Sequence, residues 1–236
     1  MLKKLLLASL VCGLCFGENG TEFDWKVSDE LKIYAIANND IMDDSIAGEW
    51  YLRFFENSKY FKVASNEFEK YDAYKQGKEK LEKLKEQYKN LDTNKTYVML
   101  TGGNFGEYNF EKEEFPIDFI TERGYFELNE GKIQDCYQGL SLLVFDNVNI
   151  DKHVFKIAKD EANKFVKSRN SGSGYIDRYI NIDVEFSLSK VELGEETQAM
   201  TTANSCLNIK ATGHIKKLTL IDQKSQNRVL YTIEYE

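Results

Sequence analysis

Proline, histidine and cationic residues are all scarce in this chain, and each shortage closes off a class of protein. One proline, Pro116, stands among 236 residues. No proline-rich linker, low-complexity tract or internal repeat divides the sequence, so one domain over residues 18–236 is expected. There are two histidines, His153 and His214. Neither forms a His-Glu-x-x-His helix motif, and no Gly-x-Ser-x-Gly elbow occurs. A two-histidine metal site completed by a carboxylate is conceivable, but lone histidines are more often structural, so no metal and no cofactor is expected. Beyond residue 16 no run approaches the about 20 apolar residues that span a bilayer. Lysine and arginine number 31 against 39 acids, a formal net charge of −8. A basic face for nucleic acid or anionic membranes is therefore not expected, and the acidity serves solubility.

The first residues are of a different kind. Lys3 and Lys4 precede a nearly unbroken apolar run, Leu5 to Phe16, and Cys15 and Gly17 suit the small positions before a cleavage point. This is the pattern of a secretory signal peptide over residues 1–17. A lipoprotein anchored through Cys12 or Cys15 is the rival reading, but Val11 and Leu14 stand where a lipobox wants a small residue. Export to the periplasm, or secretion beyond it, follows. Removing Lys3 and Lys4 leaves 29 basic against 39 acidic residues. Cys136 and Cys206 remain, two thiols in an oxidising compartment, and an even count favours a bridge. It closes a loop of 70 residues, worth about 4 kcal/mol in the chain-entropy view. Two buried free thiols are the alternative.

Periodicity places helices first and strands later. Ile46, Trp50 and Phe54 share one helical face after Asp43 or Asp44 as N-cap. A second helix is expected from Asn66 to about Leu91, with alternating charges one turn apart. This makes a helical part over about 28–91 and a β-rich part over about 95–236. Strands are expected at 96–101, 124–128 and 140–145. Asp151 should cap an amphipathic helix over about 152–169, with Val154, Ile157, Ala158, Ala162, Phe165 and Val166 on one face. Ile180, Ile182, Val184, Phe186 and Leu188 alternate with polar residues, which predicts a strand with one dry and one wet face. Leu207, Ile209, Leu218 and Leu220 mark further strands, and Val229 to Tyr235 alternates again beyond a turn at 223–227. The fold class is α+β: helices, then a mostly antiparallel sheet with the 152–169 helix packed on it.

The stretch Leu100-Thr-Gly-Gly-Asn-Phe-Gly106 looks at first like a phosphate loop. It lacks the lysine and hydroxyl of a P-loop, since Glu107 follows Gly106. An acidic, aromatic, extended segment follows where a dinucleotide fold would open a helix. Gly102 and Gly103 are instead expected to allow a bulge or tight turn at a strand end. Phe105-Gly-Glu-Tyr-Asn-Phe-Glu-Lys-Glu-Glu-Phe-Pro116 resembles a segment of an exported bacterial family known only as a domain of unknown function. Asn66-Glu-Phe68 and the strand at 178–188 resemble it too. The resemblance implies no activity and no functional residue. It would make 105–116 a structural signature, laying Phe105, Tyr108, Phe110 and Phe115 into the core.

Two further segments carry oxygen chemistry. Asn38–Ser45 gathers calcium-type ligands but lacks an EF-hand's glycine and distal glutamate, and helix caps explain the same residues. Asp92-Thr-Asn-Lys-Thr96 resembles the extended bacterial N-glycosylation acceptor, with Asn94 at an accessible connection. A Cys–His nucleophile is unavailable if both cysteines are bridged. A paired-carboxylate hydrolase leaves no local signature. The preferred reading is a non-catalytic envelope module that binds a protein, a glycan or a small apolar ligand, supported by the 13% aromatic content. The alternative is a hydrolase acting on envelope material through carboxylates or the two histidines. Intact-mass analysis of the chain from its native host should show an N-terminus at Glu18 and a glycan on Asn94. An unmodified Asn94 there would refute the acceptor reading.

Overall fold

The computed structural model describes residues 20–63, 65–119, 125–128, 131–137, 139–148, 153–172, 174–225 and 227–235. Among them are five α-helices and a nine-stranded, mostly antiparallel sheet, an α+β architecture. Its spine is the strongest alternating segment of the sequence. β7 (Tyr179–Leu193) runs antiparallel to β2 (Thr96–Phe105) on one side and to β8 (Ile209–Asp222) on the other. Ile182, Val184 and Phe186 are fully buried on the inner face, each worth about 1.5–3 kcal/mol relative to exposure.

Short strands complete the sheet. The outer edge of β2 is shared by β1 (Thr21–Glu22), parallel at Tyr97 and Val98, and β3 (Glu114–Asp118), antiparallel at Asn104 and Phe105. The outer edge of β8 is likewise split. Its first half takes β5 (Leu142–Phe145) in parallel, and its second half takes β9 (Arg228–Glu234) as a hairpin. β4 (Tyr125–Glu127) flanks β5, and β6 (Val154–Lys156) flanks β3. The sheet curls until β6 meets β9, where the rings of Phe155 and Tyr231 lie 6.0 Å apart.

The helices close the inner face. α1 (Trp25–Asn38) starts at Asp24, whose carboxylate accepts from the Lys26 and Val27 N–H groups, and it packs on β7 and β8. Phe23, just before it, stacks edge-on against Phe186 and Tyr97. α2 (Ala47–Phe55) and α3 (Asn57–Val63) lead to α4 (Glu67–Gln87). Asn66 caps α4 by accepting from Phe68 and Glu69, and acids fill its first turn. α2 starts after Ile46 with no side-chain cap. Asp43 turns back on the Ser45 N–H, and Asp44 pairs with Lys78 of α4. The Asp43 and Asp44 carboxylates are thus engaged by the protein itself, and the Asn38 and Asn39 side-chain amines donate to the carbonyls of Tyr34 and Ala35.

Besides the Asp43 or Asp44 cap, which does not form, three expectations need correction. The helix expected over about 152–169 is shorter than its periodicity suggests. Val154–Lys156 is the strand β6, and the helix α5 runs only over Lys159–Ser168 after Ala158; Asp151 lies outside the described residues. Val154 and Phe155 satisfy a helical stripe and a strand equally, and pairing with Phe115 and Pro116 decides for the strand. Gly102 and Gly103 form no turn. β2 continues through them in unbroken register with Asn181 and Ile180, and they are small because neighbours crowd them. A Cβ on Gly103 would lie 2.8 Å from the Asp118 carbonyl oxygen and 2.9 Å from Phe119. Third, the outer face of β7 is not uniformly wet, since Asn181 and Asp183 are buried. Long strands on both sides and the Tyr179 ring folded over Gly102 crowd that face.

α2 and α4 touch backbone to backbone where Gly48 meets Gly77. A Cβ on Gly48 would overlap the Tyr74 carbonyl, and one on Gly77 the Gly48 carbonyl. In a free helix Gly→Ala stabilises by roughly 1 kcal/mol. Here Gly48→Ala should destabilise by about 1–3 kcal/mol, because the helices must separate. Denaturant unfolding reads the sign directly.

Candidate functional site

The segment 105–116 folds back on itself. Gly106 N–H donates to the Pro116 carbonyl, and Asn109 and Glu114 exchange backbone bonds. The Asn109 side chain accepts from Glu111 and Lys112 N–H, forming the tip, where Glu113 takes a left-handed φ of 52°. Phe105 and Phe115 are buried and stack against each other and against Phe165 of α5. Tyr108 stacks on Phe115 and donates its hydroxyl to the Ile157 carbonyl at 2.8 Å. Phe110, expected in the core, is 69% exposed. It lies beyond the tightly packed rings, against Tyr108 and under the Lys159 ammonium.

Between this hairpin and α5 lies an open cleft of about 510 Å³. Tyr108, Phe110 and Phe115 form one wall, Ala162 and Val166 of α5 the other, and Arg178 lines it from the start of β7. The Arg178 guanidinium sits 5.3 Å from the Phe105 ring centre and donates to the Phe105 and Gly106 carbonyls. Glu107, Lys159, Asp160 and Asn163 form its polar parts. Two other cavities of similar size are more polar. One, about 450 Å³, runs beside Cys136 and Cys206 under Tyr137, and the other, about 480 Å³, lies between α5 and the turn at Ser225.

Cys136 and Cys206 stand at bonding distance, with Cα atoms 5.0 Å apart. Asn94 is exposed in the turn between α4 and β2, and Asp92 accepts from its N–H at 3.0 Å. The two histidines share no partner among the described residues. His153 is buried against Phe119, with Nε2 2.5 Å from the Tyr235 hydroxyl, and burial pushes its pKa below the usual value. His214 is half-exposed. The Asn147 side-chain amine donates to its Nε2, so Nδ1 carries the proton toward Asp146 at 2.9 Å. Among the described residues no three His, Cys, Asp or Glu side chains gather to hold a metal ion.

Periodicity did not single out Asp183. It is 7% exposed, and no hydrogen bond among the described residues reaches its carboxyl. Burial raises its pKa first and Glu185 adds to this, while Lys217 opposes both. Glu185 itself is paired with Lys217. Arg178 was also missed, though it had a signal. The chain has five arginines among its 31 cations, and arginine is the cation that stacks on rings and forks toward carboxylates.

Comparison of the chain with protein-family models, curated proteins and solved structures finds no match. The pH behaviour of Asp183 can be tested directly. Its folded pKa is raised, so its contribution is fully favourable below the unfolded value of 3.8 and is lost as pH rises through the folded value. Thermal melts of the wild type against Asp183→Asn should therefore diverge as pH rises from below 4 to 7, with the wild type losing ground. Parallel curves would show that Asp183 titrates normally.

Proposed function

We propose that the chain is an exported, non-catalytic binding protein of the cell envelope and that the cleft between the 105–116 hairpin and α5 holds a small apolar ligand. The observation that carries this is the wall of Tyr108, Phe110 and Phe115 facing Ala162 and Val166 across about 510 Å³. That volume lies within the roughly 300–1,000 Å³ of small-molecule sites, which are mostly apolar with a few placed polar groups. Phe110 supports the reading further, because its ring is 69% exposed yet held in place at the cleft wall by Tyr108. Of the three partner classes considered, protein, glycan and small apolar ligand, the cleft's shape and chemistry favour the last. Export to the periplasm is supported by the basic and apolar start of the chain and by the cysteine pair at bonding distance. No helix among the described residues is long and apolar enough to cross a membrane. The likeness of 105–116 to an exported family of unknown function is consistent with this location and adds no activity.

The test is titration with N-phenyl-1-naphthylamine, a neutral probe that fluoresces in apolar surroundings. Saturable binding is expected, and both Phe110→Ala and Val166→Glu should weaken it by about tenfold, equivalent to about 1.4 kcal/mol. Neither position is part of the tightly buried core, so melting temperatures should stay near the wild-type value. No binding, or binding unchanged in both variants, would overturn the reading.

A further inference from the structure

Arg178 is the charged group of the cleft that its surroundings leave unbalanced. Its Nη1 donates to the carbonyls of Phe105 and Gly106, and its guanidinium carbon lies 5.3 Å from the centre of the Phe105 ring. Among the described residues it forms no ion pair, and its Nε and Nη2 meet no acceptor. A second guanidinium, that of Arg169, lies 5.5 Å from the centre of the same ring, but Asp222 neutralises it at 2.5 Å. The two arginines therefore differ in one respect: one has its carboxylate within the fold and the other does not. Lys159 repeats the pattern at the rim. Its ammonium lies 5.7 Å from the Phe110 ring centre and is likewise in no ion pair. Glu107 and Asp160 also line the cleft, but both are exposed and hydrated. Asp160 moreover sits in the first turn of α5, where the helix dipole accounts for an acid.

We propose that the ligand of this cleft is an apolar molecule with one anionic head group, a carboxylate or its equivalent, received by Arg178 with Lys159 at the rim. The inference rests on the cleft being a ligand site, as proposed above. A half-buried cation loses part of its hydration and regains it best from an anion. The guanidinium presents its remaining N–H groups in a planar fork that fits a carboxylate with two bonds. The apolar body of the ligand would then lie between Tyr108, Phe110 and Val166. A cationic head group would meet the Arg178 guanidinium at the inner, half-buried end of the cleft, where Glu107 and Asp160 lie exposed at its edge.

The experiment uses two probes with the same skeleton. N-Phenyl-1-naphthylamine is neutral, and 1-anilinonaphthalene-8-sulfonate carries one added anionic group. Arg178→Gln should weaken sulfonate binding about tenfold and leave the neutral probe within about twofold. Arg178→Lys should fall between, keeping the charge and losing the fork. Lys159→Gln, at an exposed position, should cost the sulfonate about threefold and the neutral probe nothing. Raising salt should weaken only the sulfonate. Retained binding of the neutral probe shows that each variant is folded. If the neutral probe binds the wild type but the sulfonate does not, or if the Arg178 and Lys159 variants affect both probes alike, the head-group assignment is wrong while the apolar site stands. If neither probe binds the wild type, the site itself is wrong.

Discussion

A lysine ammonium with no exposure to water organises the interior. Lys32 lies midway along α1, and its Nζ is satisfied by the Ile133 carbonyl and the Asp135 carboxylate, each at 2.6 Å. One turn earlier Asp29 accepts from the backbone N–H groups of Lys132 and Ile133. A buried charge left unpaired costs several kcal/mol, so α1 can neither rotate nor slide without moving the loop at 131–137. That loop is fixed in turn to the start of β8, because Cys136 stands at bonding distance from Cys206 and its N–H donates to the Asn208 side chain. The helix, the loop and the central sheet are thus held in one arrangement, and the dry face of β7 and β8 is the one that α1 is obliged to cover.

Much of this was written plainly in the sequence, and some of it could not be. The alternation at 180–188, the long charged helix from Asn66 and the cysteine pair are local signals, and each depends on residues within a few positions or on simple counting. Lys32 was not legible, because a lysine inside a helix looks solvated until a distant carboxylate is placed beside it. The same holds for the Asn181 and Asp183 side of β7, where alternation reports polarity and not what neighbouring strands do to access. The segment 152–158 failed differently. Its apolar residues fit periods of both two and 3.6, and a partner strand at 114–116 settled the matter.

The candidate site was partly visible. The aromatic hairpin stood out in composition, but the placement of its rings did not. Phe105 and Phe115 face α5 and are buried, whereas Phe110 sits past the tip of that packing and stays exposed. Local sequence cannot separate these rings, since all lie within one extended run. The second wall comes from α5 and the polar group from the start of β7, about 50 and 70 positions further on. A site assembled from three segments leaves no spacing motif.

The split edges of the sheet have a consequence for behaviour in concentrated solution. β2 and β8 are long strands, and an unpaired row of peptide groups along either would invite another chain to add to it. The edge of β8 is covered instead by two short strands of opposite direction, β5 and β9, and that of β2 is interrupted at its two ends by β1 and β3, again of opposite direction. An incoming strand of either orientation would find only half of the row compatible even after one cap peeled away. The patchwork edge therefore works against self-templated aggregation while the chain is still folding and concentrated.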